Sequence, residues 1–229
     1  MAHILITSGP TRQYLDPVRY LTNASSGRMG SALAAAALSL GHEVTVISGP
    51  VNLDYPSRAR VIQVISTEEM LVAARLAFAD CDGLIGAAAP CDYRPQRVAQ
   101  EKIAKTGEPL RLHLVETPDI VATLGKEKRD GQWVVGFALE TNDARFRATV
   151  KLEKKRCDLI VLNGPAAMNS MDNDVEILDR RGQVVEHIVG TKQHVADAIL
   201  RAIDRCLIAQ QPSPQISGPQ RSDSQQFDL

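Results

Sequence analysis

Four stretches of the 229-residue chain carry residue types that could do chemistry. Ser25-Ser26-Gly27 stands at the end of a long loop, Ser8 to Gly30, and directly ahead of a helical pattern. Small residues before a helix leave backbone N–H groups and a positive dipole end uncovered, which suits a phosphate. An ordinary helix cap accounts for Ser and Gly there equally well. The second stretch, Gly86-Ala87-Ala88-Ala89-Pro90-Cys91-Asp92-Tyr93-Arg94-Pro95, puts small residues at a strand end, where a flat ligand could lie against backbone. Asp92 could accept a hydrogen bond from a base or ribose, or help hold a metal; an Asp in a turn is the plainer alternative. In Glu101-Lys102-Ile103-Ala104-Lys105, Lys102 could close over a triphosphate and offset charge that develops in a transition state. A solvated surface lysine explains the same residue. Lys151 and Lys155 stand four apart and share one helix face. They form either a triphosphate-binding face or cations that offset the dipole of a last helical turn.

The elements that must position these residues alternate between short apolar runs and helical patterns. His3–Thr7, Glu43–Ile47, Arg60–Ile65, Gly83–Ala88, Leu110–Val115, Trp133–Ala138 and Asp158–Leu162 read as strands. Gly27–Leu40 and Asn142–Lys155 read as helices, and Ser66-Thr67-Glu68-Glu69 is a capping box that opens another, to about Ala79. Thr117-Pro118-Asp119 predicts a helix start with Thr117 as N-cap. Ala89–Glu108 reads as irregular. Val175–Leu178 and Val184–Ile188 flank Asp179-Arg180-Arg181-Gly182 as a β-hairpin, and Thr191 caps a last amphipathic helix to about Ile208. Repeated βα units predict an α/β fold of three layers, a mainly parallel sheet between helices, plus the C-terminal hairpin. Ligands then bind beyond the C-terminal strand ends, in the loops after Thr7, Ala88, Val115 and Ala138. Residues 1–208 read as one domain. Residues 209–229, rich in Gln, Ser and Pro, read as a disordered tail.

Composition narrows the function classes. Lys+Arg is 26 against Asp+Glu 27, a net charge of −1, which argues against nucleic-acid or membrane binding through bulk charge. Aromatic residues are 4%, too few for base-stacking platforms. No apolar run approaches the roughly 20 residues of a membrane span. The N-terminus enters a strand without a basic leader, so the expected location is the cytoplasm. Cys81, Cys91, Cys157 and Cys206 are scattered without metal-ligand spacing and read as reduced thiols. The second strand ends Ile47-Ser48-Gly49-Pro50 without the acid that holds a ribose in dinucleotide folds. Gly125-Lys126-Glu127 is not a phosphate-binding P-loop, and no G-x-S-x-G elbow exists.

In order along the chain, Thr7-Ser8-Gly9-Pro10-Thr11-Arg12, Leu15-Asp16-Pro17-Val18-Arg19-Tyr20 and Thr22-Asn23-Ala24-Ser25-Ser26-Gly27-Arg28-Met29-Gly30 lead a longer set. Ala87–Pro95, Glu101-Lys102-Ile103, Pro118-Asp119-Ile120-Val121, Val135-Gly136-Phe137-Ala138-x-Glu140-Thr141 and Asp158-Leu159-Ile160-Val161-x-Asn163 complete it. Together these motifs resemble the phosphopantothenoylcysteine synthetase family. The resemblance implies a fold that combines Rossmann-like and ribokinase-like features, and a homodimer. It implies ligation of 4′-phosphopantothenate to cysteine in coenzyme A biosynthesis, driven by CTP with Mg²⁺, through an acyl-cytidylate.

By the same resemblance, Asn23 holds the acyl-nucleotide intermediate and Lys102 serves its formation. Gly86, Ala87, Ala88, Asp92, Pro118, Asp119, Ile120, Val121, Phe137, Lys151 and Lys155 belong to the nucleotide site, with Lys102 beside them. Ser25, Ser26 and Gly27 are the candidates for the substrate phosphate, and no metal ligand is assigned. Lys102-Ile103-Ala104-Lys105 departs from a commoner Lys-Ile-Lys-Lys, and Pro90-Cys91 stands where Val-Ala is commoner. The flavoprotein half often fused to this family is not in the sequence, so neither FMN nor decarboxylation is expected here; the flavin-dependent decarboxylase is either a separate partner or lies outside this sequence. The competing readings are an NAD(P)-dependent oxidoreductase and a non-catalytic nucleotide-binding protein.

Overall fold

Alternation along the apolar runs sends successive side chains to opposite faces of a sheet, and the fold is built on that alternation. The structure is a computed structural model that describes residues 1–140, 142–163 and 173–209. In chain order the elements are β1 (His3–Ser8), β2 (Arg12–Tyr14), β3 (Tyr20–Thr22), α1 (Arg28–Ser39), β4 (Glu43–Ser48), β5 (Arg60–Gln63), α2 (Thr67–Phe78), β6 (Gly83–Gly86), β7 (Tyr93–Pro95) and β8 (Leu114–Glu116). They continue as α3 (Ile120–Glu127), β9 (Trp133–Leu139), α4 (Ala144–Lys154), β10 (Leu159–Asn163), β11 (Asn173–Asp179), β12 (Val184–Gly190) and α5 (Lys192–Ile203), which ends in a π-helical turn at Asp204–Ile208.

The main sheet has eight strands in the order β12-β11-β10-β9-β6-β1-β4-β5. From β10 to β5 neighbours are parallel; β11 and β12 add an antiparallel hairpin at one edge. Ile4, Ile6, Ile85 and Val135 face α1 and α5, while Leu5, Leu84 and Val134 face α2, α3 and α4. This is the three-layer α/β/α architecture with its C-terminal hairpin. Local caps hold as read: Ser66 Oγ accepts from the Glu69 amide and Glu69 reaches back to Ser66, and Thr191 accepts from the His194 amide.

Two expectations need correction. Leu110–Val115 is not a strand of the main sheet. Only Leu114–Glu116 is extended into pairing, with β7, in a small two-stranded sheet. The place beside β6 is already filled by β1 and β9. Residues 87–117 therefore leave the sheet and return as α3, and part of the stretch read as irregular becomes β7. Thr117 does not cap α3. The N-cap is Asp119, whose Oδ1 accepts from the Ala122 amide, while the Thr117 hydroxyl donates to the Cys91 carbonyl. An Asp two residues on offers a better acceptor for the free amides of a helix start. The expected tail lies outside the described residues from 210 onward, as does Thr141.

Candidate active site

A cavity of about 120 Å³ opens at the C-terminal ends of the parallel strands. Gly86, Ala88, Asp92, Pro118, Asp119, Ile120, Val121, Phe137 and Lys155 line it, with Thr7, Pro90, Cys91 and Thr117. A cleft of about 550 Å³ continues outward past Asp92, Thr117 and Asp119 to Lys126 and Lys154. Gly86 is glycine for a packing reason. A Cβ there would come within 2.5 Å of the Val121 side chain, so its absence lets α3 close on β6.

The wall between β6 and β7 is held by side chains from four separate segments. The Asn23 amide donates to the carbonyls of Ala89 (3.3 Å) and Pro90 (2.8 Å). Thr11 Oγ1 accepts from the Cys91 amide at 2.8 Å, and the hydroxyls of Thr67 (3.2 Å) and Thr117 (2.5 Å) donate to the Cys91 carbonyl. Three consecutive carbonyls are thus satisfied without a regular strand partner. Cys91 itself is buried, and burial pushes its thiol above the ordinary value.

Charge is arranged around the cavity in pairs. Lys155 Nζ lies 3.1 Å from Asp119 Oδ2, both at the mouth. Lys151 Nζ lies 2.6 Å from Glu140 Oε1 and does not reach the lining. Helical spacing puts both lysines on one face, but each has its own carboxylate. Asp92 lines the cavity and no hydrogen bond or ion pair of its carboxylate exists among the described residues. No cluster of three or more His, Cys, Asp or Glu residues suited to a metal occurs among them either.

Ala87 faces away from the cavity. Alternation turns it toward the core beneath α1 and α5, opposite Gly86 and Ala88. The Ser25-Ser26-Gly27 stretch also lies outside the lining, at the start of α1. Gly27 is the N-cap of α1 at φ 72°, in the left-handed region that favours glycine, and no side chain caps the helix. Among the described residues the first-turn amides of α1 are therefore free for an external acceptor. Ser8, Ser48 and Tyr55 form a hydroxyl chain behind it, and Ser8 Oγ donates to the Gly27 carbonyl.

Lys102 is exposed, makes no hydrogen bond or ion pair among the described residues, and stands outside the cavity lining. Its neighbour is fastened. Asp16, fully buried in the turn between β2 and β3, accepts from the amides of Val18, Arg19 and Ile103 and from the Arg19 guanidinium. Burial alone would raise the Asp16 carboxyl, but the Val18, Ile103 and Arg19 amides and the Arg19 charge hold it below its ordinary value.

Residues 1–207 match the family described as the DNA/pantothenate metabolism flavoprotein C-terminal domain. The chain belongs to this family. It is 44% identical over 186 residues to the coenzyme A biosynthesis bifunctional protein CoaBC of Vibrio vulnificus, covering 79% of this chain and 46% of that protein. It is 38% identical over 206 residues to the Haemophilus influenzae protein of the same name, covering 89% of this chain and 52% of that one. The chain thus spans about half the length of the curated relatives it matches. Among solved structures, the C-terminal domain of a coenzyme A biosynthesis bifunctional protein CoaBC superposes with a TM-score of 0.77 at 39% identity, over 90% of this chain and 96% of that one.

Within this family fold, sequence reading did not foresee Thr7, Thr11 and Thr67 as parts of the site, and it gave Thr117 a different task. Their signal was faint, since a threonine at a strand end or helix start has ordinary reasons to be there.

Proposed function

We propose that the chain is a phosphopantothenate–cysteine ligase. It joins 4′-phosphopantothenate to cysteine at the expense of CTP, with release of CMP and pyrophosphate. The observation that carries the reading is the match, over nearly all of both chains, to the C-terminal domain of a coenzyme A biosynthesis protein. The cavity supports it. A small, partly enclosed space beside Gly86 and Phe137 suits a pyrimidine more than a purine, and the outer cleft with Lys126, Lys154 and Lys155 suits a polyphosphate tail.

A free carboxylate is a poor acyl donor because its leaving group would be oxide. In the first step its oxygen attacks the α-phosphorus of CTP, and the bond to the β-phosphate oxygen breaks. In the second the cysteine amine attacks the acyl carbon, loses a proton, and CMP leaves. Lys155 and the cleft lysines offset the triphosphate charge, and Lys102 meets the charge that moves onto pyrophosphate. Asn23, seated on the wall beside the cavity, holds the acyl phosphate. The free amides of α1 take the phosphate of phosphopantothenate.

Mg²⁺ would enter with the triphosphate, since such ions keep water and phosphate oxygens and need only one or two carboxylates. Asp92, uncommitted at the cavity, is the donor that fits. FMN has no place in this chemistry, and the product would pass to a flavin-dependent decarboxylase. We assign the protein to the cytoplasm; no described helix is long and apolar enough to cross a membrane. We also assign a homodimer, since Leu110, Leu112 and Leu114 project at alternate positions from an exposed segment.

The test incubates the protein with 4′-phosphopantothenate, cysteine, Mg²⁺ and CTP or ATP and follows pyrophosphate and product. CTP should be preferred by orders of magnitude. Absence of pyrophosphate would refute the ligase, equal efficiency with ATP would refute the base preference, and nicotinamide-dependent absorbance would favour an oxidoreductase.

A further inference from the structure

Among the described residues no hydrogen bond or ion pair holds the Lys102 side chain, yet the peptide groups around it are tied down. Ile103, the next residue, is fastened at both ends of its backbone: its N–H donates to Asp16 Oδ2 (3.1 Å), and its carbonyl accepts from Arg19 Nη1 (3.0 Å). Arg19 Nη1 also donates to Asp16 Oδ2 at 2.8 Å, so carboxylate, guanidinium and peptide close one ring of contacts. Three residues before Lys102, the Ala99 N–H donates to the Leu15 carbonyl at 2.9 Å. The short stretch carrying Lys102 is therefore pinned on both sides to a single turn, Leu15–Arg19. That turn is the tip of the β2–β3 hairpin, and β3 runs from it to Asn23 on the cavity wall. Four extended residues from Arg19 to Asn23 span roughly 13 Å at the usual rise. One rigid hairpin thus carries Asn23 at its base and the Lys102 stretch at its tip.

We infer that Asp16 is a positioning residue for the activation step: through Ile103 it sets the place from which Lys102 reaches the triphosphate. This rests on the ligase reading. The two oxygens of Asp16 have separate duties, which makes the inference testable. Oδ1 accepts from the Val18 and Arg19 amides and shapes the turn; Oδ2 serves Ile103 and the Arg19 side chain. A carboxylate without its partners would be costly in so buried a place, so the turn and the fastening form together.

Asp16→Asn keeps an acceptor for the turn and puts a donor where Oδ2 stood. Ile103→Pro removes the same hydrogen bond from the other side and leaves the turn untouched. Each should lower kcat for pyrophosphate release about tenfold, the scale of one hydrogen bond to a charged group, with KM for CTP changed far less. The double variant should also lose about tenfold, because both changes remove one interaction. A second readout does not need activity. Trypsin cleavage after Lys102, measured against cleavage after Lys105 beyond the fastening, should rise in Asp16→Asn. Effects that multiply to a hundredfold would assign Asp16 to the turn alone. Unchanged kcat, or an unchanged cleavage ratio in Asp16→Asn, would overturn the inference. If the wild type releases no pyrophosphate, the ligase reading fails first, and a raised cleavage ratio still shows the fastening without a role in catalysis.

Discussion

Asn23 and Lys102, assigned to successive steps of one reaction, are both exposed but differ in how they are held. Asn23 stands outside the cavity lining, but its amide holds two carbonyls of a segment that Thr11, Thr67 and Thr117 also hold. Lys102 projects from an exposed stretch and makes no hydrogen bond or ion pair among the described residues. The first group is in place before any ligand arrives, and the second has to be brought to one. The contrast separates a residue whose loss harms structure and chemistry together from one whose loss harms chemistry alone.

The largest expected effect is that of Lys102→Gln. Pyrophosphate release should fall by about 10²-fold or more, the scale for one preorganised charge contact. The melting temperature should not move, because no hydrogen bond or ion pair among the described residues is lost. A fall in stability would show that Lys102 is more embedded than its exposure indicates.

Next comes Asn23→Asp. A carboxylate aimed at the Ala89 and Pro90 carbonyls repels where an amide bonded, which lowers stability only modestly because both bonds are exposed to water. Activation should continue and transfer to cysteine should fail, so acyl-cytidylate accumulates and is detected by mass spectrometry. If Asn23→Asp blocks pyrophosphate release as fully as Lys102→Gln, the two residues do not divide the steps.

A smaller effect should come from Thr117→Val. The Cys91 carbonyl loses one of two donors and keeps Thr67, so stability falls by about 1 kcal/mol. KM for CTP should rise a few-fold as the wall loosens. An unchanged KM would dissociate the wall from nucleotide binding.

The smallest effect is in the thiols. Burial first, then Asp82 and Asp80, push Cys81 up to about 12, and burial pushes Cys157 up to about 11. A raised thiol stays protonated and unreactive until the pH approaches its shifted value. At pH 8 a thiol reagent should titrate Cys206, which is partly exposed, and leave Cys81, Cys91 and Cys157 unmodified in the native protein. Fast reaction of Cys91 would mean that the wall opens readily.

Much of the architecture could be read from residue pattern because its causes are local. Short apolar runs set between helical patterns predict β1, β4, β6, β9 and β10, and Ser66 with Glu69 predicts the start of α2. Leu110–Val115 misleads because its alternation is that of a strand, while pairing depends on whether a place in the sheet is open. Thr117 misleads because two good acceptors, Thr and Asp, lie two residues apart, and only the loop at Cys91 decides between them. In the site, Gly86, Ala88, Asp92 and Pro118–Val121 converge because they end or follow strands β6 and β8, Phe137 joins them from β9, and Lys155 reaches them from the end of α4. Helical spacing alone could not tell that Lys151 pairs with Glu140, or strand composition that Ala87 points to the other face. Asp16 was visible only as part of a motif, since its partner Ile103 is 87 positions away.

The packing of α5 on α1 also bears on how the chain is made. Leu33, Ala34 and Ala37 of α1 share a core with Val195, Ile199 and Ile203 of α5. Synthesis proceeds from the N-terminus, and domains tend to fold as their residues emerge. The first helix must therefore wait, with apolar surface bare, until the last has left the ribosome. Nascent chains stalled before residue 192 should bind a general chaperone, and chains released after residue 203 should escape it.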